Sequence, residues 1–389
     1  MKIAWLHSHF QYWTGGTKFI FEVVRRMNRI SQTDIFVQTS DEKIKEMFIK
    51  EKIKFESIGR WSTYSPIFWL FLPFNVNRDA RILRDMLNDK DAIVTSMFPM
   101  NIVVHGLNKK HFQYCFEPYT LFHDREYVSG FTLTRRAFAT IMRLIYSKHD
   151  ITSTQNALKL FTTVEGVNYW IKKVYNREAI PTYVGVDTDF FQRKENSPLR
   201  QCNKNKKIII CSTDYSYLKR ADFVVDAMPE ILKEVPNCKL MISHTKENKV
   251  GIRRLKKKIK NLNLEHNVEL LGFISIEKLP LFYAAADVAV YAGVGSGANC
   301  NSLFVLEAMA CETPVVRTDS THDEVIHGES GFLFRENNKG EMVRCIVKIL
   351  SNEEMAKKMG KAGRERVRKI YNWDRVANKI LDEIKGFQK

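Results

Sequence analysis

Short, nearly continuous apolar runs return along this chain with helical patterns between them, and that alternation limits the fold more than any other feature. In the first half, "KIAWLHSH", "DIFVQTS", "AIVTSM" (92–97), "FQYCF" (112–116) and "LFTTVE" read as strands. Phe19, Ile20, Val23, Val24 and Met27 follow the first of them at helical spacing, and a long helical pattern fills roughly 132–149. The stretch "NSPLRQCNKNKK" has few apolar residues and reads as a linker. The rhythm then restarts with "KIIICST", "CKLMISH", "VELLGF", "VAVYA" and "PVVRT" as strands, "ADFVVDAMPEILKEV", "EKLPLFYAAA" and 303–311 as helices, and a helical tail at 353–387. Strands this apolar are buried on both faces, as in parallel sheets covered by helices. The expected fold class is α/β: two doubly wound parallel-sheet domains in tandem, with ligands at the carboxyl ends of the strands and a cleft between the domains.

A length of 389 residues suits two such cores. The 61 Lys and Arg against 44 Asp and Glu give a formal charge of +17, which favours anionic partners. Nucleic acid is not expected, because no helix-turn-helix, RNA-recognition or zinc module accompanies the charge. Seven cysteines without a CxxC pair or zinc-like His and Cys spacing indicate reduced thiols and a cytoplasmic setting. The start, "MKIAWLHSHF", lacks a signal-peptide core, and the longest apolar run, "IFWLFL", falls far short of the roughly 20 residues that span a bilayer.

The loop "AGVGSGANCNS" (292–302) follows a strand and opens a helix. Its glycines let the backbone approach a ligand, Ser302 suits the N-cap, and the helix start at Leu303 presents amides and a positive dipole end to a phosphate. Glu307 lies about one turn into that helix. Its carboxylate is either a helix-start residue favoured by the dipole or an acceptor for a ribose diol beside the phosphate.

"SLFVLEAMACETPVVRTDSTHDEVIHGESGFLF" (302–334) resembles the signature of the GT4-type retaining glycosyltransferases, the glycosyl transferases group 1 of the GT-B superfamily. "GGTKFIFEVVRRM", "IPTYVGVDTDFF", "LKRADFVVDAMPEILKEVPNCKLMI", "NVELLGFISIEKLPLFYAAADVAVYAG" and "YNWDRVANKIL" are similar to further segments of that family, in the same order. The resemblance covers nearly the whole chain and is strongest after residue 180. It implies two Rossmann-like domains facing a central cleft: 1–190 on the acceptor side, 191–371 for the donor, and a helix at 372–389 packing back on the first domain. It also implies a UDP- or GDP-linked sugar donor, no metal and no cofactor. By position, Glu307 matches the second Glu of the family's E-x7-E element, which holds the donor ribose, and Lys219 matches the lysine that meets the donor diphosphate. Gly15 and Gly16 match the loop facing the sugar and phosphates, and the amides at 301–304, those of Ser302 and Leu303 among them, are expected beside the diphosphate.

The chain departs from the family at several positions. Asn299 stands where the first Glu of E-x7-E belongs, and retains hydrogen bonding to a sugar hydroxyl without the charge. The usual arginine before the lysine falls near Asp214, with Arg220 as a substitute. Ser302 and Glu312 replace glycines. Retaining transfer in this family places its demand on stabilising diphosphate and oxocarbenium-like charge, so Lys219 and Asn299 are the donor-side catalytic candidates. On the acceptor side, Glu117 in "FQYCFEPYTLFHD" is either a proton acceptor or a surface carboxylate before a proline turn; His7, His9 and His123 are further candidates.

"RWSTYSPIFWLFLPFNVNRDARILR" sets Trp61, Phe68, Trp69, Phe71 and Phe74 between arginines, and "TRRAFATIMRLIYSKH" sets Arg135, Arg136, Arg143 and Lys148 beside Phe138, Ile141, Leu144 and Ile145. Such stretches suit either core packing with solvated arginines or peripheral contact with an anionic membrane. The expected activity is transfer of a hexose to a glycan or lipid-linked acceptor in cell-surface glycoconjugate synthesis. The lost Glu, Arg and Gly positions leave a non-catalytic sugar-binding subunit as the alternative.

Overall fold

The computed structural model describes residues 1–62, 65–195, 197–215, 218–244, 248–294, 302–319 and 324–388. The chain divides into two compact units, Met1–Tyr183 with Trp373–Lys389, and Val184–Asn372.

The first unit is built on seven parallel strands: β1 (Lys2–Phe10), β2 (Gln32–Ser40), β3 (Phe55–Ser57), β4 (Ala92–Ser96), β5 (Phe112–Tyr114), β6 (Leu160–Thr162) and β7 (Ala179–Pro181). Their order is β3-β2-β1-β4-β5-β6-β7. The second has six parallel strands: β8 (Lys207–Thr213), β9 (Cys238–His244), β10 (Val268–Phe273), β11 (Val288–Tyr291), β12 (Val315–Thr318) and β13 (Gly331–Phe334), ordered β10-β9-β8-β11-β12-β13. In both sheets the first strand pairs on one side with the second and on the other with the fourth. The direction of winding reverses there, and the crevice outside the carboxyl ends of those two strands is the natural ligand position. The central strands are apolar on both faces, as Ile208, Ile209 and Ile210 of β8 illustrate: all three are fully buried.

The segment read as a linker is an integral part of the second unit. Pro198–Cys202 is a helical turn. Arg200 donates to the carbonyl oxygens of Ala285 and Lys206 and pairs with Asp287 at 2.7 Å, while Ser197 Oγ donates to the Leu281 carbonyl. Polar anchoring replaces an apolar contact here, so composition misleads. The break between units falls at 183/184, seven residues before the expected 190/191. The last helix, Trp373–Gln388, packs on Gly15–Ile30 of the first unit, with Trp373 edge-on to Phe19 at 5.7 Å and Arg26 Nε 3.0 Å from Asp374.

Burial and then the charge of His9 push the His7 imidazole down to about 3, and burial pushes His9 and His111 each to about 4. These rings stay neutral in the fold while histidines of the unfolded chain take a proton below about pH 6.5. The unfolded state then binds more protons, so stability is full above about pH 6.5 and falls as pH drops toward 4. The slope reaches about 1.4 kcal/mol per pH unit for each such histidine. Thermal melts across that window will show the loss, and His7→Gln will make it shallower.

Candidate functional site

The switch point of the second sheet lies between β8 and β11. The loop leaving β8 carries Tyr215 and Arg220 in the left-handed region, at φ +62° and +46°, a conformation costly for residues with side chains. Between them sits Lys219. The Val294 N–H donates to the Leu218 carbonyl at 3.1 Å and ties this loop to the one leaving β11. Lys219 Nζ donates to Tyr291 Oη at 3.1 Å, and the Arg317 guanidinium lies 5.6 Å from the centre of the same ring. Tyr291 closes β11 and Arg317 lies on β12, so a half-buried ammonium and a buried guanidinium flank one buried aromatic ring at the carboxyl end of the sheet. Arg220 Nη1 instead donates to Asn337 Oδ1 at 2.9 Å, and its guanidinium lies over Phe223.

The helix expected at 303–311 spans Leu303–Ala310, and Ser302 is its N-cap by position. Its hydroxyl makes no capping bond. The Ser302 backbone N–H donates to Glu324 Oε1 at 2.8 Å. Glu324 Oε2 pairs with Arg317 Nη1, and both side chains are buried, at 0% and 1% exposed. Arg366 Nε adds a bond of 3.1 Å to the Glu324 carbonyl. One amide at the helix start is therefore already held by a carboxylate, before any phosphate. Half-buried Leu303 opens the helix.

Glu307 faces inward at 4% exposed and accepts from Tyr283 Oη at 2.7 Å. Burial, with the Glu307 carboxylate second, holds the Tyr283 hydroxyl well above its ordinary range. The carboxylate is held by a defined donor, which fixes its rotamer near the helix start. Glu312, where the family has glycine, follows this helix at φ +60°. A left-handed residue after a helix is the position glycine fills at least cost. Asn299, with Gly295 and Gly297 of the glycine loop, lies outside the described residues. Among the described residues, no group of three or more His, Cys, Asp or Glu is placed to hold a metal ion.

In the first unit, Gly15 and Gly16 belong to the first turn of Gly15–Ile30 rather than to the loop before it. Thr14 takes the N-cap and accepts from the Thr17 N–H at 3.2 Å. A Cβ on Gly16 would meet only Thr14 Oγ1 at 3.8 Å, an ordinary contact, so the fold itself does not demand glycine there. Glu117 is exposed just beyond β5. His7 lies within β1, toward its carboxyl end, with Nδ1 2.9 Å from the Ser96 carbonyl oxygen. His123 is tied up in a buried cluster: its Nε2 lies 2.8 Å from Asp150 Oδ2, which also accepts from Tyr175 Oη, while Asp150 Oδ1 accepts from Asn101.

Residues 192–366 match the family model described as glycosyl transferases group 1. The second unit belongs to that family. Among curated proteins, the GDP-mannose-dependent alpha-(1-6)-phosphatidylinositol monomannoside mannosyltransferase of Mycobacterium tuberculosis is 26% identical over 217 residues, 52% of this chain and 54% of the relative. The chain thus matches about half the length of that relative. Among solved structures, a glycosyltransferase from Rickettsia africae superposes with TM-score 0.79 at 16% identity, covering 100% of this chain and 99% of that one. HepE of Anabaena in complex with UDP gives TM-score 0.78 at 14% identity, with 99% and 100% covered. At these identities the likeness shows the fold, and that fold is GT-B.

Four side chains of this group 1 domain escaped the sequence reading: Tyr283, Tyr291, Arg317 and Glu324. Arg317 left a signal, because a charge inside the apolar run "PVVRT" must find a partner when the strand is buried. Glu324 stands within the signature stretch, where roles were assigned to Ser302, Leu303 and Glu307 but none to Glu324.

Proposed function

We propose that the chain is a retaining glycosyltransferase that moves a hexose from a UDP- or GDP-linked donor to a glycan or lipid-linked acceptor. The observation that carries this reading is the position of Lys219: a cation held against Tyr291 at the switch point of a group 1 domain, where a diphosphate is expected. A flexible ammonium acts on phosphate as a point charge. With the amides of the helix start it stabilises the diphosphate as the sugar–phosphate bond breaks. The leaving phosphate takes the acceptor hydroxyl's proton on the face where the new glycosidic bond forms, so retention needs no strong enzyme nucleophile. Glu307 holds the ribose, Gly15 and Gly16 admit sugar and phosphates, Arg220 and Asn299 add contacts to the donor, and Glu117 serves the acceptor. The positive charge comes from the ammonium and helix amides, so the reading assigns no metal or cofactor.

Support for the donor comes from the relatives: the mycobacterial enzyme is named for GDP-mannose, and HepE was solved with UDP. The setting we assign is the cytoplasm. The described cysteines Cys115, Cys202, Cys211, Cys238, Cys311 and Cys345 are all free thiols, and no described helix is long and apolar enough to cross a membrane.

Calorimetry with UDP and GDP tests the reading. One of the two binds, and Lys219→Ala weakens it by about 10- to 150-fold, the worth of a hydrogen bond to a charged group. Failure of both nucleotides to bind, or an unchanged Lys219→Ala, would remove Lys219 from this role. Asn299 in place of the family's Glu favours a second reading, a sugar-nucleotide-binding subunit without turnover. Release of nucleotide diphosphate from the sugar donor, with acceptor mixtures present, separates the two.

A further inference from the structure

We propose that the outward face of the helix Leu133–Gln155, with the neighbouring tip where Pro66–Leu70 meets Leu72–Met86, docks on an anionic lipid bilayer. The helix has two apolar faces. Ala139, Met142, Tyr146 and Asp150 turn inward at helical spacing and are buried. On the opposite side, Leu133, Ile141, Leu144 and Ile145 form a second stripe that solvent reaches, Leu133 at 80% and Leu144 at 74% exposed. A helix packed on one face normally offers polar groups on the other. Trp69 brings the second element alongside, with ring contacts of 6.4 Å to both Phe138 and Tyr146. Phe68 and Trp69 of that aromatic stretch are core residues, whereas Leu70, Phe71 and Phe74 point outward, Leu70 and Phe74 at 67% and 71% exposed. Two elements that pack on one another in the core thus each expose an apolar set to solvent, and exposed apolar patches mark interaction faces.

Charge selects the occupant. From residue 127 to 149 the chain has no acidic residue, while on the same helix Arg135, Arg136 and Lys148 are exposed and Arg143 is half-buried. Among the described residues, no carboxylate pairs with Arg125, Arg135, Arg143 or Lys148. A cavity of about 480 Å³ flanks the stripe, with Arg125 and Arg143 in its wall beside Phe122 and Leu144. Leucine, isoleucine and phenylalanine inserted among arginines match the boundary between acyl chains and phosphate headgroups. A nucleic acid would use the arginines and leave the leucines without a partner. A second copy of this chain would bring the same positive charge against itself.

Co-sedimentation with vesicles tests this without any sugar transfer, so its outcome is independent of the donor-site reading. The full chain binds phosphatidylcholine vesicles containing phosphatidylglycerol, binds phosphatidylcholine alone more weakly, and is released by salt. Leu144→Asp with Ile145→Asp weakens binding by about tenfold or more, and Arg135→Ala or Arg143→Ala each by about fivefold on the anionic vesicles only. Circular dichroism melts confirm that the variants are folded; if the double variant melts early, Leu133→Asp at the exposed helix start makes the same measurement. Absence of binding by the parent chain, equal binding to neutral vesicles, or unaltered binding by the folded variants overturns the proposal. So does a dimer in size-exclusion chromatography that Leu144→Asp dissociates, which would make the face a contact between copies.

Discussion

Glu307→Gln lowers affinity for the nucleoside diphosphate by about 10- to 150-fold and leaves inorganic pyrophosphate binding unchanged. The substitution preserves volume and an acceptor oxygen for Tyr283, whose hydroxyl lies 2.7 Å from the carboxylate. What it removes is the charge. An ionised carboxylate offers about four acceptor positions, and bonds to it are worth about 1.5–3 kcal/mol each. Tyr283 occupies one of them, and a ribose diol is the expected ligand for another. Glu307→Ala is the less informative change, because it also leaves the buried Tyr283 hydroxyl without this acceptor, at about 1–3 kcal/mol of stability. Tyr283→Phe completes the set: the carboxylate remains but loses its clamp, so affinity falls by less than in Glu307→Gln. Pyrophosphate is the control that assigns the role, since it has the phosphates and no ribose. If Glu307→Gln binds the nucleotide as the parent does, the Glu307 charge has no part in holding the nucleotide.

The central strands were legible because burial on both faces leaves a simple mark. "KIIICST" and "AIVTSM" are apolar almost throughout, and they became β8 and β4. The strands Phe55–Ser57, Ala179–Pro181 and Gly331–Phe334 were not recognised. Three or four residues at or near a sheet edge carry too little pattern to stand out from a turn. The helix start at Leu303 and the carboxylate of Glu307 were visible as local features of one short stretch. The Tyr291 stack was not. Its cations come from the loop after β8 and from β12, 72 residues before the ring in one case, and only the parallel sheet order brings them together. The aromatic-basic stretches show the same limit. Sequence alone gave Phe68 and Phe74 equal standing, while the fold buries the first and exposes the second.

Arg317→Met destabilises the second unit by about 3–5 kcal/mol, the usual consequence of leaving one member of a buried ion pair without its partner. Against a typical total of about 5–15 kcal/mol, this is a large fraction. The setting is unfavourable for a lone charge: Glu324 is 0% exposed and Arg317 1%. Arg317 Nε also donates to the Thr318 carbonyl at 3.2 Å, so among the described residues the guanidinium reaches a backbone acceptor besides Glu324. Glu324→Leu alone has a similar cost, because it strands the guanidinium. The double substitution Arg317→Met with Glu324→Leu is cheaper than the sum of the two, since no buried charge is left. Donor affinity does not return with stability in that double variant. Glu324 Oε1 holds the Ser302 N–H at 2.8 Å, and Arg317 stacks on the ring that Lys219 contacts. The pair therefore sets both the helix start and the lysine, and an apolar replacement does neither. Thermal melts and nucleotide calorimetry on the two single variants and the double variant separate these effects. Strictly additive losses of stability would show that the pair is not coupled, and full recovery of nucleotide binding in the double variant would show that it does not position the site.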